Sequence, residues 1–200
     1  MGKGMKKALS IILIILIAFS ICACGKKNIK INEPTKAGSW EYTILKIEFA
    51  RSINTSSGSY ESFYSPDDSF GAYTVPKDDH VFAIVTYSMK NIGKERIRLW
   101  EDLEYRGIGK FVYGDGYIFD NNNIKIFPSY YDENESSFRS VRTDFWLEPL
   151  SSAVECKMLF IIPENIVEDT NEKLFYQVTF DDSGKNTTLR CEITNREIVN

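Results

Sequence analysis

Four cysteines and a single histidine are the residues of this 200-residue chain whose types invite chemistry. Cys156 and Cys191 fall on the apolar phase of alternating runs, Val154/Cys156/Met158/Phe160/Ile162 and Leu189/Cys191/Ile193, so both should face a core. A bridge between them would close a loop of 35 residues and contribute about 3–4 kcal/mol in the chain-entropy picture. A disulfide is the expectation, with two buried free thiols as the alternative. No C-x-x-C occurs, so a redox or thiolate-metal role has no spacing behind it. His80 follows Asp78-Asp79 and opens a strand-like run. A triad would make His80 the base, Asp79 its orienter and a serine the nucleophile. Neither G-x-S-x-G nor S-x-x-K is present, so an edge histidine in a polar turn is the plainer reading. One histidine does not make a structural zinc site, and no phosphate-cradling glycine motif occurs. Gly114-Asp115-Gly116 and Asp120-Asn121-Asn122-Asn123 offer hard oxygens but lack the calcium-loop spacing. They read as turns. No catalytic residue, metal or cofactor is expected beyond a covalent lipid, and the chain is not expected to be an enzyme.

The other two cysteines belong to the N-terminal segment. Residues 1–7 carry Lys3, Lys6 and Lys7 and no acid, and an apolar run from Ala8 to Cys24 follows, broken by Ser10 and Ser20. This is a basic region followed by a hydrophobic region of a signal peptide. The run ends in Ile21-Cys22-Ala23-Cys24. That tetrad resembles the bacterial lipoprotein signal, in which a branched aliphatic and two small residues precede a lipid-accepting cysteine. The resemblance implies cleavage after Ala23 and diacylglycerol on Cys24. An uncleaved anchor and an ordinary secretory signal are the alternatives. Without residues 1–23, 21 basic and 28 acidic residues remain, a net charge of −7. That balance argues against nucleic-acid binding and against electrostatic adhesion to anionic lipid, so the acyl chains must hold the protein to the membrane. Lys26, Lys27 and Lys30 beside the anchor could each add up to about 1 kcal/mol on an anionic surface.

Positioning these residues is the work of β-structure. Residues 24–39 are polar and contain Pro34 and Gly38, and read as the lipidated cysteine and a tether. From Trp40 to 200 a single domain is expected. Trp40–Phe49 alternates with Thr43, Leu45, Ile47 and Phe49 on one face, and Val81–Met89 with Val81, Ala83, Val85, Tyr87 and Met89. Val154–Ile162, Leu174–Phe180 and Leu189–Ile193 complete the set, with a short helix possible at Pro163–Ile166. Short period-2 runs divided by turns indicate a sandwich or barrel. Two insertions, 53–79 and 107–140, are long for such connections and rich in aromatics. Tyr60, Tyr64, Tyr113, Tyr130 and Tyr131 are the candidate binding surface, because tyrosines combine rigid contact area with a polar handle. The alternative is that these rings cap the sandwich or lie on unrecognised strands.

The order of features is similar to that of a bacterial surface lipoprotein family with a telokin-like, immunoglobulin-like domain of unknown function. The matching residues are the opening Trp40-Glu41-Tyr42-Thr43-Ile44, the Asn91-Ile92-Gly93 turn, the Leu147-Glu148-Pro149 turn and the strand ending at Pro163. This chain has Leu150-Ser151-Ser152 where the family usually has a glycine after the second turn. The resemblance implies an antiparallel immunoglobulin-like β-sandwich on the extracytoplasmic face of a bacterial cell membrane. It carries no catalytic residues. The expected function is a lipid-anchored binding or interaction domain whose partner is an envelope protein or cell-wall polymer. The alternatives are an accessory subunit of a membrane transport or signalling complex, and an envelope hydrolase with an unrecognised site.

Overall fold

The computed structural model describes residues 26–54, 72–74, 79–98, 109–120, 129–132, 137–140, 146–182 and 185–199. Residues 1–23, read above as a signal segment, and Cys24, Tyr60 and Tyr64 lie outside them.

Two antiparallel-rich sheets pack face to face as a β-sandwich. One sheet contains β1 (Lys26–Asn28), β8 (Gly109–Tyr113), β9 (Tyr117–Asp120), β14 (Leu174–Asp182) and β15 (Lys185–Glu192), in the order β1-β15-β14-β8-β9. The other contains β3 (Trp40–Ala50), β6 (His80–Asn91), β10 (Ser129–Asp132), β11 (Ser137–Ser140), β13 (Ser152–Pro163) and β16 (Ile198–Val199), in the order β11-β10-β13-β6-β3-β16. β2 (Thr35–Ala37) pairs with β3 in this second sheet. Two small pairs sit outside: β4 (Ser52–Asn54) with β5 (Ala72–Thr74), and β7 (Ile97–Arg98) with β12 (Trp146–Leu147). A single turn of helix, α1 (Glu164–Glu168), follows Pro163, where the sequence places it.

The inward phase of β6 is Val81, Ala83, Val85, Tyr87 and Met89, all buried, as their alternation predicts. β13 matches it with Cys156, Met158, Phe160 and Ile162. The second face of β6 is covered too: Phe82 and Ile84 form a small outer cluster with Ile53 of β4 and Leu159. β3 departs from expectation. Trp40, Tyr42 and Ile44 are its buried residues at the start, the phase opposite to Thr43 and Leu45. A register shift between Ile44 and Lys46 then brings Ile47 and Phe49 to the inner side. A bulge adds one residue and reverses the faces, so a constant period of two fails across it.

The described part of region 107–140 is strand and tight turn rather than a long loop. Its described residues are four strands: β8 and β9 extend the first sheet, and β10 and β11 form one edge of the second. The polar segment read as a tether also lies on the sheets from Lys26 onward. β1 runs parallel to β15, with Lys26 opposite Thr188, and β2 turns back onto β3.

The expected bridge between Cys156 and Cys191 is absent; both are buried free thiols. They sit in different sheets, Cys156 opposite Tyr87 in one and Cys191 opposite Tyr176 in the other. The rings of Tyr42, Tyr87 and Tyr176 occupy the core there. Tyr42 and Tyr87 lie 5.2 Å apart between centroids, and the hydroxyls of Tyr42 and Tyr176 share a hydrogen bond of 3.2 Å across the two sheets.

Candidate functional site

The sandwich has two ends with different chemistry. At the far end, β6 begins, β13 finishes and α1 starts. His80 pairs with Pro163 across β6 and β13, and the Glu164 N–H donates to the Asp79 carbonyl at 2.9 Å. An open groove of about 590 Å³ lies here, lined by Asp79, His80, Pro163, Glu164, Asn165, Ile166 and Glu168. His80 Nδ1 is 2.6 Å from Asp79 Oδ1. Arg51, which follows β3, pairs with the Glu164 carboxylate. That carboxylate raises the Arg51 pKa further, chiefly through the hydrogen bond, so Arg51 is a fixed cation. The groove thus joins an Asp–His pair to an Arg–Glu pair. Among the described residues no serine, threonine or cysteine lines it, and the described thiols are in the core. Among the described residues no three His, Cys, Asp or Glu side chains converge as a metal site.

Beside this end stands the β8–β9 hairpin. Its turn needs glycine twice, since Gly114 has φ +54° and Gly116 φ +144°. The Gly114 N–H donates to the Lys173 carbonyl at 3.0 Å, and the Tyr113 hydroxyl donates to Asp169 Oδ2. That hydrogen bond is the main cause of the lowered Asp169 pKa and the raised Tyr113 pKa. Arg196 donates to the carbonyls of Asp169 and Glu172 and so fastens the same loop. On this braced hairpin Tyr117 is 71% exposed and Ile118 55%. They belong to β9, the last strand of its sheet among the described residues.

Of the five tyrosines singled out from the sequence, Tyr60 and Tyr64 lie outside the described residues. Tyr113 is half-buried and braces the hairpin. The backbones of Tyr130 and Tyr131 form β10, and their side chains are outside what is described. Tyr117, one of the aromatics of this region but not of the five, and Ile118 are exposed instead. Their signal is a Gly-x-Gly turn flanked on both sides by alternating aromatics, Phe111/Tyr113 and Tyr117/Phe119; read as a long loop, the hairpin disappears.

The opposite end, where β1 begins, is organised by Asn91. Its Nδ2 donates to the carbonyls of Glu95 at 2.8 Å and Leu147 at 2.9 Å, and its Oδ1 accepts from the Gly93 N–H at 2.9 Å. Backbone bonds from Asn91 N to Ser151 O and from Leu150 N to Asn91 O close the turn. The two short turn motifs noted in the sequence thus meet at one buried side chain. Leu150 stands at φ +67° and is 71% exposed, and Trp146 is 40% exposed beneath the Arg96 guanidinium, 4.6 Å from the ring centroid.

No protein-family model matches the chain, and no curated protein matches it. Solved structures do. One is an uncharacterized β-sandwich protein from Clostridium difficile 630, 18% identical, with a TM-score of 0.51 over 85% of this chain and 95% of that one. A Bacillus subtilis protein described as a candidate lipoprotein is 16% identical, with a TM-score of 0.43 over 82% of this chain and 40% of that one. A conserved hypothetical protein from Bacillus anthracis is 14% identical, with a TM-score of 0.39 over 74% and 87%. The first likeness is one of fold: this chain is a β-sandwich.

Proposed function

We propose that this chain is a non-catalytic binding domain of the telokin-like, immunoglobulin-like kind. Diacylglycerol on Cys24 holds it to the extracytoplasmic face of the bacterial membrane, and the β8–β9 hairpin meets an envelope protein or wall polymer. The observation that carries the binding part is the adjacent pair Tyr117 and Ile118. Two large apolar side chains are exposed on a terminal strand that glycines and the Tyr113–Asp169 bond hold in place. Consecutive side chains of a strand point to opposite faces, so this edge exposes one large side chain on each, and edge strands bind extended partners through their backbone. The anchor part rests on the basic, apolar and Ile21-Cys22-Ala23-Cys24 pattern of the first 24 residues.

The test is in-cell crosslinking from a photoreactive residue placed at 117, with mass spectrometry of the adducts. One dominant protein adduct, lost with Ile118→Asp, is expected of a receptor or complex subunit. Adducts spread evenly over many abundant proteins and unchanged by Ile118→Asp would sink the binding reading.

The Asp79–His80 pair favours one further reading, a hydrolase working in the groove. It requires turnover of a cell-wall or peptide substrate that disappears in His80→Ala.

A further inference from the structure

The chain enters the fold at one end of the sandwich. β1 is an edge strand that runs parallel to β15, Lys26 lying opposite Thr188. Three residues back along β15 is the hairpin pair Asp182–Lys185. Lys26 therefore opens β1 at the end of the sandwich that this hairpin marks, and the two residues of sequence that separate it from Cys24 can reach no further than about 7 Å. The same end of the other sheet is fixed by packing. Phe180, two residues before Asp182, meets Tyr42 with ring centroids 5.4 Å apart. Tyr42 is two residues from Trp40, which pairs with Asn91. Asn91 in turn holds the Leu147–Leu150 turn. Leu150 and Trp146, both exposed, thus share an end with the point where the chain leaves for Cys24.

We infer that the sandwich stands end-on against the lipid surface, with Leu150 and Trp146 seated among the headgroups. The inference rests on the proposed anchor. With Gly25 alone between Cys24 and β1, there is no tether to lift this end away. The side chains suit that position. A tryptophan with a cation over its face is an interfacial pair, and an exposed leucine gains by leaving water. Leucine in a left-handed turn costs about 1–2 kcal/mol, a conformation that glycine takes freely. Lys26, Lys27, Lys94 and Arg96 outnumber Glu95 and Glu148 at this end, so anionic lipid should strengthen the apolar contact. The groove at His80 and the hairpin bearing Tyr117 are then the membrane-distal end, open to partners.

The full-length chain, made in a bacterial host and reconstituted into vesicles of equal parts phosphatidylcholine and phosphatidylglycerol, tests this. Nitroxide labels are placed at Leu150→Cys in one sample and Tyr117→Cys in another; buried Cys156 and Cys191 do not compete for label. Expected is a loss of collisions with a water-soluble nickel chelate and a gain with oxygen at 150, with neither change at 117. Lys94→Cys, an exposed position, repeats the measurement if Leu150→Cys disturbs the turn. Intact mass reports the lipid on Cys24 separately. Aqueous labels at 150 and 94 on a lipidated chain overturn the orientation and leave the anchor standing. Aqueous labels on a chain without the lipid overturn both.

Discussion

Asn91 Nδ2 donates to the Leu147 carbonyl at 2.9 Å across 56 residues of sequence. With its two further bonds, this side chain fastens three stretches: its own turn, the start of the β7 approach at Glu95, and the Leu147–Pro149 turn. Gly93 completes the arrangement, since a Cβ there would lie 3.1 Å from the Ser39 Cβ and 3.2 Å from Asn91 Oδ1.

Asn91→Ala should therefore destabilise the domain by about 2–4 kcal/mol, three hydrogen bonds being lost and buried partners left unpaired. Urea denaturation followed by circular dichroism checks it. A cost below about 1 kcal/mol would mean water replaces the side chain.

Leu150→Gly should act in the other direction. It removes the left-handed penalty of about 1–2 kcal/mol but gives back part of it as glycine's greater freedom in the unfolded chain. A net gain of about 0.5–1 kcal/mol in urea is expected. On vesicles the same variant should weaken membrane contact.

The buried tyrosines should not respond alike. Tyr42 and Tyr176 share a hydrogen bond, whereas the buried Tyr87 hydroxyl makes none. Tyr42→Phe should cost about 1 kcal/mol by leaving Tyr176 unpaired. Tyr87→Phe should be neutral or stabilise by up to about 1 kcal/mol, because it removes an unsatisfied polar atom. Parallel thermal melts decide between equal and opposite effects.

Gly109→Ala probes a close approach between the sheets, where Gly109 of one faces Met158 and Phe160 of the other. Its Cβ would lie 2.7 Å from the Tyr176 hydroxyl and 2.8 Å from Met158 Sδ. Overpacking of this kind costs about 1–3 kcal/mol, and the added methyl should also break the Tyr42–Tyr176 bond. A double-mutant cycle of Gly109→Ala with Tyr42→Phe should show costs that do not add.

Alkaline pH should unfold the domain. Burial lifts the Cys156 thiol from 9.0 to about 12 and raises Tyr42 and Tyr87 well above their ordinary value. The native state keeps protons that the unfolded chain releases. This contribution is complete below pH 9 and is lost as pH rises toward 12, about 4 kcal/mol for Cys156 alone. Denaturation midpoints against pH check the sign. At pH 8 neither thiol should react with a disulfide reagent until the chain unfolds, and reductant should leave the melting temperature unchanged.

The fold class was legible because side-chain alternation is local. Val81 to Met89 and Cys156 to Ile162 show their inner face in composition alone, and both were buried as expected. β3 defeats a constant period because a bulge at Ile44–Lys46 changes the phase without changing the residue types. The β8–β9 hairpin is not legible in the sequence because glycines and aromatics suit a loop as well as a tight turn. Of the candidate surface only the richness in aromatics is legible: which rings are exposed depends on strand partners, so Tyr113 is engaged with Asp169 while Tyr117 is exposed.

The sequence alone determined what short-range periodicity and patterning can determine: an alternating β-domain, two cysteines on inward phases, and an N-terminal segment with a basic start, an apolar run and a resemblance to a lipoprotein signal. Only the tertiary structure decided which strands share a sheet. That placement puts Cys156 and Cys191 in different sheets as free thiols, gathers Asn91 and Leu147 into one turn, and lays Lys26–Asn28 on β15. Strand partners are chosen by packing summed over the whole core, a long-range quantity that residue spacing does not record.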